Sequence, residues 1–314
     1  MKNLIINWLV EVKIIHFMNL MLMKANNQEP AIAIVPYRSW PIYRLWALPL
    51  DKLEWPLGRP QRLLNGNLSK LREDDHLITF PRKPVFFFFR NKVQANISLM
   101  IVEPDIIHKH YIFWAKYLNW RFYKILTKNK GLINNIRNGE FFYFGSTFLT
   151  NINEIDVKKK HMASLIASSQ NQHQGHKLRH LIVDYIKELE INIAVIGRGY
   201  KPFEKKEDGL KSYKYSIIIE NSSETDYFTE KVIDACLLET IPIYWGAPNI
   251  SKYFDTRGFI VCKNIQEIKS AINKMSDEDY VLKKEYIKKN KQKALYHADF
   301  KQRAAQIIKD SILK

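Results

Sequence analysis

The chain has 314 residues, of which 46% are hydrophobic and 13% are aromatic, and this composition excludes a collagen, a coiled coil and a globally disordered protein. Its length suits two domains of roughly 130–150 residues each. With 49 Lys and Arg against 32 Asp and Glu, the formal net charge is +17. Such a charge favours an anionic partner, for which a phosphate-bearing substrate, an anionic lipid and a nucleic acid all qualify.

The amino-terminal residues 1–30 are predicted to be a leader that is interfacial or disordered. Their apolar stretch, 4–23, is interrupted by Glu11, Lys13 and His16, and each charge near the middle of a spanning helix costs about 2.5–3.5 kcal/mol. The uninterrupted runs are therefore too short to span a bilayer. The favoured localisation is the cytoplasm, with peripheral contact to the inner membrane face through this leader or the basic tail. The alternative is a type II membrane protein of the secretory pathway.

Short apolar runs typical of buried strands recur along the chain, with helical patterns between many of them. The predicted strands are 31–35, 85–89, 97–102, 141–144, 165–167, 193–196, 215–219, 241–245 and 259–261. The clearest helical patterns are 108–117, 177–189, 230–238 and 265–275. This alternation predicts an α/β fold in two halves, each with a mainly parallel sheet covered by helices.

The polar and charged segment 150–160 is the predicted domain boundary, which divides the chain into domains 31–150 and 151–314. The second domain ends in a lysine-rich helical tail at 277–314. This tail and the run 158–160 are interpreted as solvated basic faces. Cys236 and Cys262 are too few for a disulfide scaffold and are predicted to be buried core residues.

The segment with the densest pattern is 213–248, YKYSIIIENSSETDYFTEKVIDACLLETIPIYWGAP. A buried strand ends at Glu220 and Asn221, and a helix then begins near Thr229, Glu230 and Lys231. Ligands of open α/β sheets bind outside the carboxyl ends of strands, where a helix start offers N–H groups to a phosphate. The alternative interpretation is an ordinary helix cap with surface charges.

In three further segments, a predicted strand ends beside polar residues. Residues 167–171 lead into a helix that bears Arg179, a residue type suited to bidentate phosphate contact. The stretch 195–199, VIGRG, is only a weak dinucleotide fingerprint. Glu103 follows an apolar strand, where partial desolvation suits a general base. His173, His176 and His180 form a cluster whose spacing matches no standard zinc site and which lacks a fourth ligand, so no metal site is predicted.

With these residues in view, the chain resembles glycosyltransferase family 10, the α-1,3/α-1,4-fucosyltransferases. The resemblance is carried by 213–250, with its Glu-Asn, Tyr-x-Thr-Glu-Lys and Pro-x-Tyr-Trp-Gly elements, and extends over about 160–265. The segment ASSQNQHQGHKLRHLIVDY is similar to the family's Ser-Asn…Arg…Tyr segment, although Ser169-Gln170 departs from it. In the first half only Val102-Glu103-Pro104 and 141–144 match.

The resemblance implies a GT-B fold of two Rossmann-like domains that face a central cleft. The first domain would bind the acceptor and the second would bind the nucleotide sugar, GDP-fucose. The implied donor-binding residues are Arg179, Glu220, Asn221, Tyr227, Thr229, Glu230 and Lys231, with Arg179 and Lys231 on the diphosphate. Glu103 would be the catalytic base.

The implied reaction is an inverting transfer of fucose to a hydroxyl of an N-acetylglucosamine or glucose unit, in α-1,3 or α-1,4 linkage. The expected partners are GDP-fucose and an oligosaccharide or lipopolysaccharide-type acceptor, and no nucleic acid. No obligatory cofactor is expected, and a divalent metal would act only as a stimulant. The alternatives are a GT-B transferase for another nucleotide sugar, a non-catalytic sugar-binding relative and a basic nucleic-acid-binding module.

Overall fold

The computed structural model describes residues 29–313 except 38, 40–43, 89, 91 and 203. These residues form two compact units, each built on its own five-stranded parallel sheet. Unit 1 comprises 29–101, 109–141 and 301–313, and unit 2 comprises 102–108 and 142–300. The predicted α/β architecture with two Rossmann-like units is confirmed. The predicted leader lies outside the described residues, apart from 29 and 30.

The sheet of unit 1 has the strand order β1-β2-β3-β4-β5. Its strands are β1 Ile32–Ile34, β2 His76–Thr79, β3 Asn96–Ile101, β4 Ile125–Thr127 and β5 Gly139–Phe141. The helices among them are α1 Lys83–Phe87, α2 Lys109–Tyr117 and α3 Lys130–Ile133. Apart from Asn96, all residues of β1 to β4 are buried, as expected for parallel strands covered on both faces.

Two strand predictions in unit 1 differ from the structure, and two strands were missed. Residues 85–89 were predicted to be a strand, but 83–87 form a helix with Pro84 in its first turn. Proline suits a helix start, and so short an apolar run fits a buried helical turn as well as a strand. The strands β2 and β4 were missed because each is short and begins or ends with a polar residue. The strand predicted at 141–144 lies earlier, at Gly139–Phe141.

The sheet of unit 2 has the strand order β10-β9-β8-β6-β7, again fully parallel. Its strands are β6 His161–Ile166, β7 Ile193–Ile196, β8 Tyr213–Ile219, β9 Ile241–Trp245 and β10 Ile260–Val261. The helices that follow are α4 Gln174–Glu188, α5 Glu230–Leu237, α6 Ile265–Asn273, α7 Asp277–Leu282, α8 Lys284–Ala298 and α9 Phe300–Ile312. The order of the strands reverses between β6 and β8, so the carboxyl ends of these two strands form the topological switch point of the sheet.

The compact units differ from the predicted division of the chain in three ways, of which the first is that 102–108 packs with unit 2. Residues 142–150 pack with unit 2, where the Tyr143 hydroxyl lies 2.9 Å from Nδ1 of His297. All but the first residue of α9 packs with unit 1, where Lys301 pairs with Glu54 at 2.7 Å and Ile308 is fully buried. The end of the lysine-rich tail is therefore a packed helix of unit 1, although it was assigned to the second domain.

The basic run 158–160 is only partly solvated. Nζ of Lys159 donates hydrogen bonds to the carbonyl of Leu238 at 2.6 Å and to Oγ1 of Thr240 at 2.8 Å. Burial lowers the pKa of Lys159 to about 7. Lys159 thus stabilises the chain at the carboxyl end of α5 through these hydrogen bonds. The interpretation of the whole run 158–160 as a solvated face was therefore wrong for Lys159. The burial predicted for Cys236 and Cys262 is confirmed.

Among the described residues, no helix combines the length and the apolar character that crossing a bilayer requires.

Candidate active site

Two helices begin at the switch point of unit 2. Helix α4 follows β6 and α5 follows β8, so both amino-terminal ends lie at the carboxyl edge of the sheet. Such helix starts carry unpaired N–H groups and the positive end of the helix dipole. Both therefore favour an anion at this edge.

The start of α4 lies directly against the end of β8. A Cβ atom at Gly175 would come within 1.7 Å of the carbonyl oxygen of Glu220, so only glycine fits there. The Gly175 N–H donates to the carbonyl of Asn221 at 3.1 Å. One turn later, Arg179 donates from Nη2 to Oδ1 of Asn221 at 2.8 Å. The strand end thereby determines where the Arg179 guanidinium lies.

The start of α5 is held by the buried carboxylate of Glu220. Its two oxygens accept hydrogen bonds from the N–H of Thr229 at 2.9 Å and from the Thr229 hydroxyl at 2.7 Å. Thr229 is the N-cap of α5 and accepts in turn from the N–H of Lys231. Glu220 is fully buried. These contacts make Glu220 a support of the helix start.

Charged side chains of alternating sign line up along α5. Nζ of Lys231 lies 3.4 Å from a carboxylate oxygen of Glu220 and 3.4 Å from one of Glu230. Nζ of Lys206 lies 3.7 Å from Glu230 and 2.9 Å from the buried Asp234. Each lysine therefore sits between two carboxylates. Sequence reasoning missed Lys206, which is carried by the short 3-10 helix Lys206–Gly209 outside the recognised motif.

The pKa shifts in this chain of charges follow from the pairing. Burial favours the neutral acid, but Lys231 and Lys206 outweigh it and hold the pKa of Glu230 below its ordinary value. Burial likewise opposes the charge of Lys231, but Glu230 and Glu220 outweigh it and raise the pKa of its ammonium. For Asp234 burial dominates, so its pKa is raised although Lys206 opposes the shift. Glu230 and Lys231 are thus ionised at neutral pH.

A cavity of about 240 Å³ lies at the switch point, and we call it the switch-point cavity. Its wall includes the ends of β6 and β8 and the start of α5. The charged side chains on the wall are Arg179, Arg198, Lys206, Glu230 and Lys231. Nε of Arg179 is buried and has no hydrogen-bond partner. An excess of cations and an unpaired guanidinium donor suit an anionic ligand.

The predicted donor-binding residues divide into two groups. Arg179, Glu230 and Lys231 are on the wall of the switch-point cavity. The other four, Glu220, Asn221, Tyr227 and Thr229, are not among the described residues of that wall. Tyr227 is buried, and burial together with Glu220 and Glu103 raises the pKa of its hydroxyl well above the ordinary value.

Glu103 belongs to unit 2 by its contacts, although the sequence placed it in the first domain. The N–H of Asp105 donates to a carboxylate oxygen of Glu224 at 2.9 Å, which ties segment 102–108 to the link between β8 and α5. Burial raises the pKa of the half-buried Glu103, and the positive charge of Lys231 opposes this shift only in part. The structure thus brings Glu103 into the electrostatic range of the α5 start.

The clustered histidines form hydrogen bonds within unit 2. Nδ1 of His180 lies 2.9 Å from the Tyr200 hydroxyl, and its Nε2 lies 2.9 Å from the carbonyl of Gln170. His176 is buried, and burial together with Arg179 lowers its pKa to about 4. His176 is therefore neutral at physiological pH and supports the start of α4.

Residues 156–308 match the family model described as glycosyltransferase family 10 (fucosyltransferase), C-terminal. This part of the chain belongs to glycosyltransferase family 10. The matched segment contains β6 to β10, both helix starts and every described residue of the switch-point cavity wall except Phe148. The family domain therefore contains seven of the eight predicted site residues, and Glu103 lies outside it.

Two curated relatives are similar to shorter segments of this chain. The α-(1,3)-fucosyltransferase FucT of Helicobacter pylori is 32% identical over 127 residues, which are 38% of this chain and 25% of the relative. A fucosyltransferase-like protein of Arabidopsis thaliana is 31% identical over 71 residues, 22% of this chain and 14% of the relative. The chain thus matches a quarter or less of the length of these relatives.

Solved structures resemble this chain at low sequence identity. The crystal structure of TarM has a TM-score of 0.50 and 13% identity, and the match covers 76% of this chain and 55% of that one. A crystal structure of α1,3-fucosyltransferase has a TM-score of 0.48 and 19% identity, over 75% of this chain and 77% of that one. The likeness to TarM concerns the fold alone, and the fold is of the GT-B class expected from the sequence.

Proposed function

We propose that the chain is an inverting fucosyltransferase. It transfers fucose from GDP-fucose to a hydroxyl of an N-acetylglucosamine or glucose unit of a glycan, in α-1,3 or α-1,4 linkage. The observation that carries this proposal is the placement of Arg179 and Lys231 on the wall of one cavity beside the starts of α4 and α5. The match to the family model and the name of the Helicobacter pylori relative support fucose as the sugar. GDP as its carrier is what the resemblance of the sequence to family 10 implies.

The donor diphosphate is proposed to bind at the two helix starts. As the bond from the anomeric carbon to the diphosphate breaks, negative charge grows on the leaving GDP. Arg179 and Lys231 are already held by Asn221 and Glu220, so they stabilise that charge without rearranging. Glu230 is proposed to accept hydrogen bonds from the hydroxyls of the ribose or of fucose, because its carboxylate is ionised and borders the cavity.

Glu103 is the proposed general base. In an inverting displacement the acceptor oxygen attacks the anomeric carbon from the side opposite the leaving group and loses its proton. A carboxylate with a raised pKa takes up that proton more readily than an ordinary one, and such general-base catalysis contributes roughly 10²–10⁴-fold. No obligatory metal takes part in this scheme. Activity that persists in EDTA is the expected result.

The test is a transfer assay with labelled GDP-fucose and a panel of oligosaccharide and lipopolysaccharide-type acceptors. We expect acceptor-dependent release of GDP, and we expect Lys231→Ala and Arg179→Ala each to lower kcat/KM about 10²–10³-fold. Lys177→Ala is the matched control, because Lys177 is an exposed cation on α4 that is not on the described cavity wall. Full turnover by Lys231→Ala would reject the proposed donor site.

A transferase that uses another nucleotide sugar is the competing function. A thermal-shift panel of GDP, UDP, ADP and CMP separates the two, since a ligand that binds only the folded protein raises its melting temperature. We expect the largest shift with GDP. A larger shift with any other nucleotide would overturn the choice of donor and leave the anion-binding role of the cavity in place.

A further inference from the structure

Helix α2 of unit 1 exposes aromatic side chains where a surface helix ordinarily carries polar ones. Phe113 is 59% exposed and Tyr117 is 60% exposed, and Trp120 in the following 3-10 helix is 73% exposed. Phe113 and Tyr117 are four residues apart and therefore lie on one side of the helix, and Trp120 is exposed just beyond its carboxyl end. The opposite side of the helix packs against the protein, since Trp114 contacts the core of unit 1 and Ala115 is fully buried.

Basic side chains border these aromatics. Lys109 and Lys116 lie on the same exposed side, at helical spacings from Phe113. Nζ of Lys116 lies 5.8 Å from the centre of the Tyr117 ring, and the Arg121 guanidinium lies 5.5 Å from the centre of the Trp120 ring. We call the exposed side formed by Lys109, Phe113, Lys116, Tyr117 and Trp120 the aromatic-basic face.

The sequence around this face contains basic residues and no acidic ones. Residues 109–139 contain seven Lys and Arg and no Asp or Glu. Outside this face, the aromatic Phe87 is also 47% exposed, and its ring contacts Trp114 on the inner side of α2. A surface that combines Trp, Tyr and Phe with Lys and Arg partitions into the headgroup region of an anionic bilayer.

We propose that the aromatic-basic face is a docking surface for an anionic lipid bilayer. A convex helix face suits a membrane plane, whereas small molecules and glycans are bound in concave sites. The described wall of the switch-point cavity includes no residue of this face. Phe113 has no polar atom to offer a sugar or a base, but its ring is well suited to burial among acyl chains. This proposal does not depend on the proposed transferase reaction.

The test is co-sedimentation of the full chain with phosphatidylcholine vesicles that contain or lack phosphatidylglycerol. We expect binding only with the anionic lipid, weakened by salt. The triple variant Phe113→Ser, Tyr117→Ser, Trp120→Ser should lower the partition coefficient by on the order of tenfold or more. The matched control is Leu282→Ser with Tyr296→Ser, which removes exposed apolar side chains from α7 and α8.

A charge variant tests the electrostatic part without touching the aromatics. Lys109→Gln with Lys116→Gln should lower binding by on the order of tenfold, because each basic side chain near the surface contributes separately. Lys284→Gln with Lys288→Gln alters the net charge equally on exposed positions of α8 and should leave binding almost unchanged. Equal losses in both pairs would overturn the proposal, since they would show that only total charge matters.

A fluorescent probe reports where the membrane touches the protein. Both native cysteines are buried, so Tyr117→Cys provides a selectively labelled site for an environment-sensitive dye. We expect a blue shift on addition of anionic vesicles, and no shift for the same dye at Leu282→Cys. The proposal fails if the dye at 117 does not respond while the chain sediments with vesicles. It also fails if the triple serine variant raises the KM for a glycan acceptor but keeps full vesicle binding.

Discussion

Glu103 lies where burial makes its carboxylate harder to ionise. Its pKa is raised above the ordinary value for glutamate, because desolvation exceeds the attraction of Lys231. Glu103, as the proposed general base, would work only in its deprotonated form. We therefore expect kcat/KM to fall on the acid side, as the pH drops through a value above the ordinary glutamate pKa.

The measurement is a pH–rate profile of the wild type and of Glu103→Gln. The variant should lose roughly 10²–10⁴-fold in kcat and keep its affinity for GDP. Glu278→Gln, an exposed carboxylate on α7, serves as the control. An unchanged acid limb in Glu103→Gln would assign the titration to another group.

Lys206 is the residue of the site that a motif search cannot find. It pairs with Asp234, a carboxylate that is fully buried in α5, and it borders the switch-point cavity. Removing one partner of a buried ion pair typically costs 3–5 kcal/mol. Lys206→Met is therefore expected to lower the free energy of unfolding by roughly 3 kcal/mol and to weaken GDP binding.

A double variant separates the two effects of Lys206. In Lys206→Met with Asp234→Leu, no charge is left buried without a partner, so we expect most of the stability to return. GDP affinity, measured by calorimetry, should stay low because the cation on the cavity wall is still missing. If both the free energy of unfolding and the GDP affinity recovered in the double variant, Lys206 would have only a structural role.

At the scale of elements, the packing of α4 against the end of β8 decides the position of Arg179. A methyl group at position 175 would collide with the carbonyl of Glu220, so Gly175→Ala should push the start of α4 away from the strand. The hydrogen bonds from Gly175 and Arg179 to Asn221 would then weaken together. We expect roughly a tenfold loss of GDP affinity and a lower melting temperature.

Helix α3 offers a matched control for this substitution. A Cβ at Gly131 would meet only Oδ1 of Asn129, at 3.3 Å. A small shift of that side chain accommodates the methyl group, so Gly131→Ala should be nearly neutral. If both variants lose the same GDP affinity, the close approach at Gly175 does not govern the site.

In unit 1, Asp75 connects the start of the sheet to the loops before β2. Its buried carboxylate forms an ion pair with Arg62 and accepts hydrogen bonds from the N–H groups of Ala31 and Arg72. Burial alone would raise its pKa, but these partners outweigh burial and lower it. The carboxylate therefore stabilises the fold above the ordinary aspartate pKa of 3.8, and this contribution is lost as the pH falls through the lower folded-state pKa.

The corresponding variant is Asp75→Asn, measured by urea unfolding at neutral pH. We expect a loss of about 3 kcal/mol, because Arg62 keeps its charge and loses its partner. Asp74→Asn removes an exposed carboxylate next to it and should cost well under 1 kcal/mol. Similar losses for the two variants would contradict the role of burial.

At the scale of the whole molecule, the described wall of the switch-point cavity is made by unit 2 alone. GDP should therefore slow amide hydrogen exchange at the starts of α4 and α5 and leave the strands β1 to β5 unchanged. Exchange followed by mass spectrometry, with and without GDP, checks this expectation. Protection of unit 1 that equals the protection of unit 2 would argue against a donor site confined to unit 2.

The sequence alone was sufficient for the architecture of unit 2 and for the family. Its strands are apolar runs bounded by turns, and the residues from Glu220 to Lys231 are close along the chain, so local pattern carries the information. The resemblance to family 10, and not the local pattern, implied that Arg179 and Lys231 contact the same diphosphate. The structure places both on the wall of one cavity.

Only the tertiary structure decided which residues of the site are on the cavity wall and which stand behind it. Glu220 reads as a polar residue at a strand end, but packing buries it under the cap of α5. The partners of Lys206, of Glu103 and of the end of the lysine-rich tail are distant from them along the chain. Hydrophobic periodicity relates only residues that are near one another in sequence, so it does not reveal these contacts. The physical reason is that burial and ion pairing depend on distances between segments, whereas propensity and hydrophobic pattern depend on near neighbours along the chain.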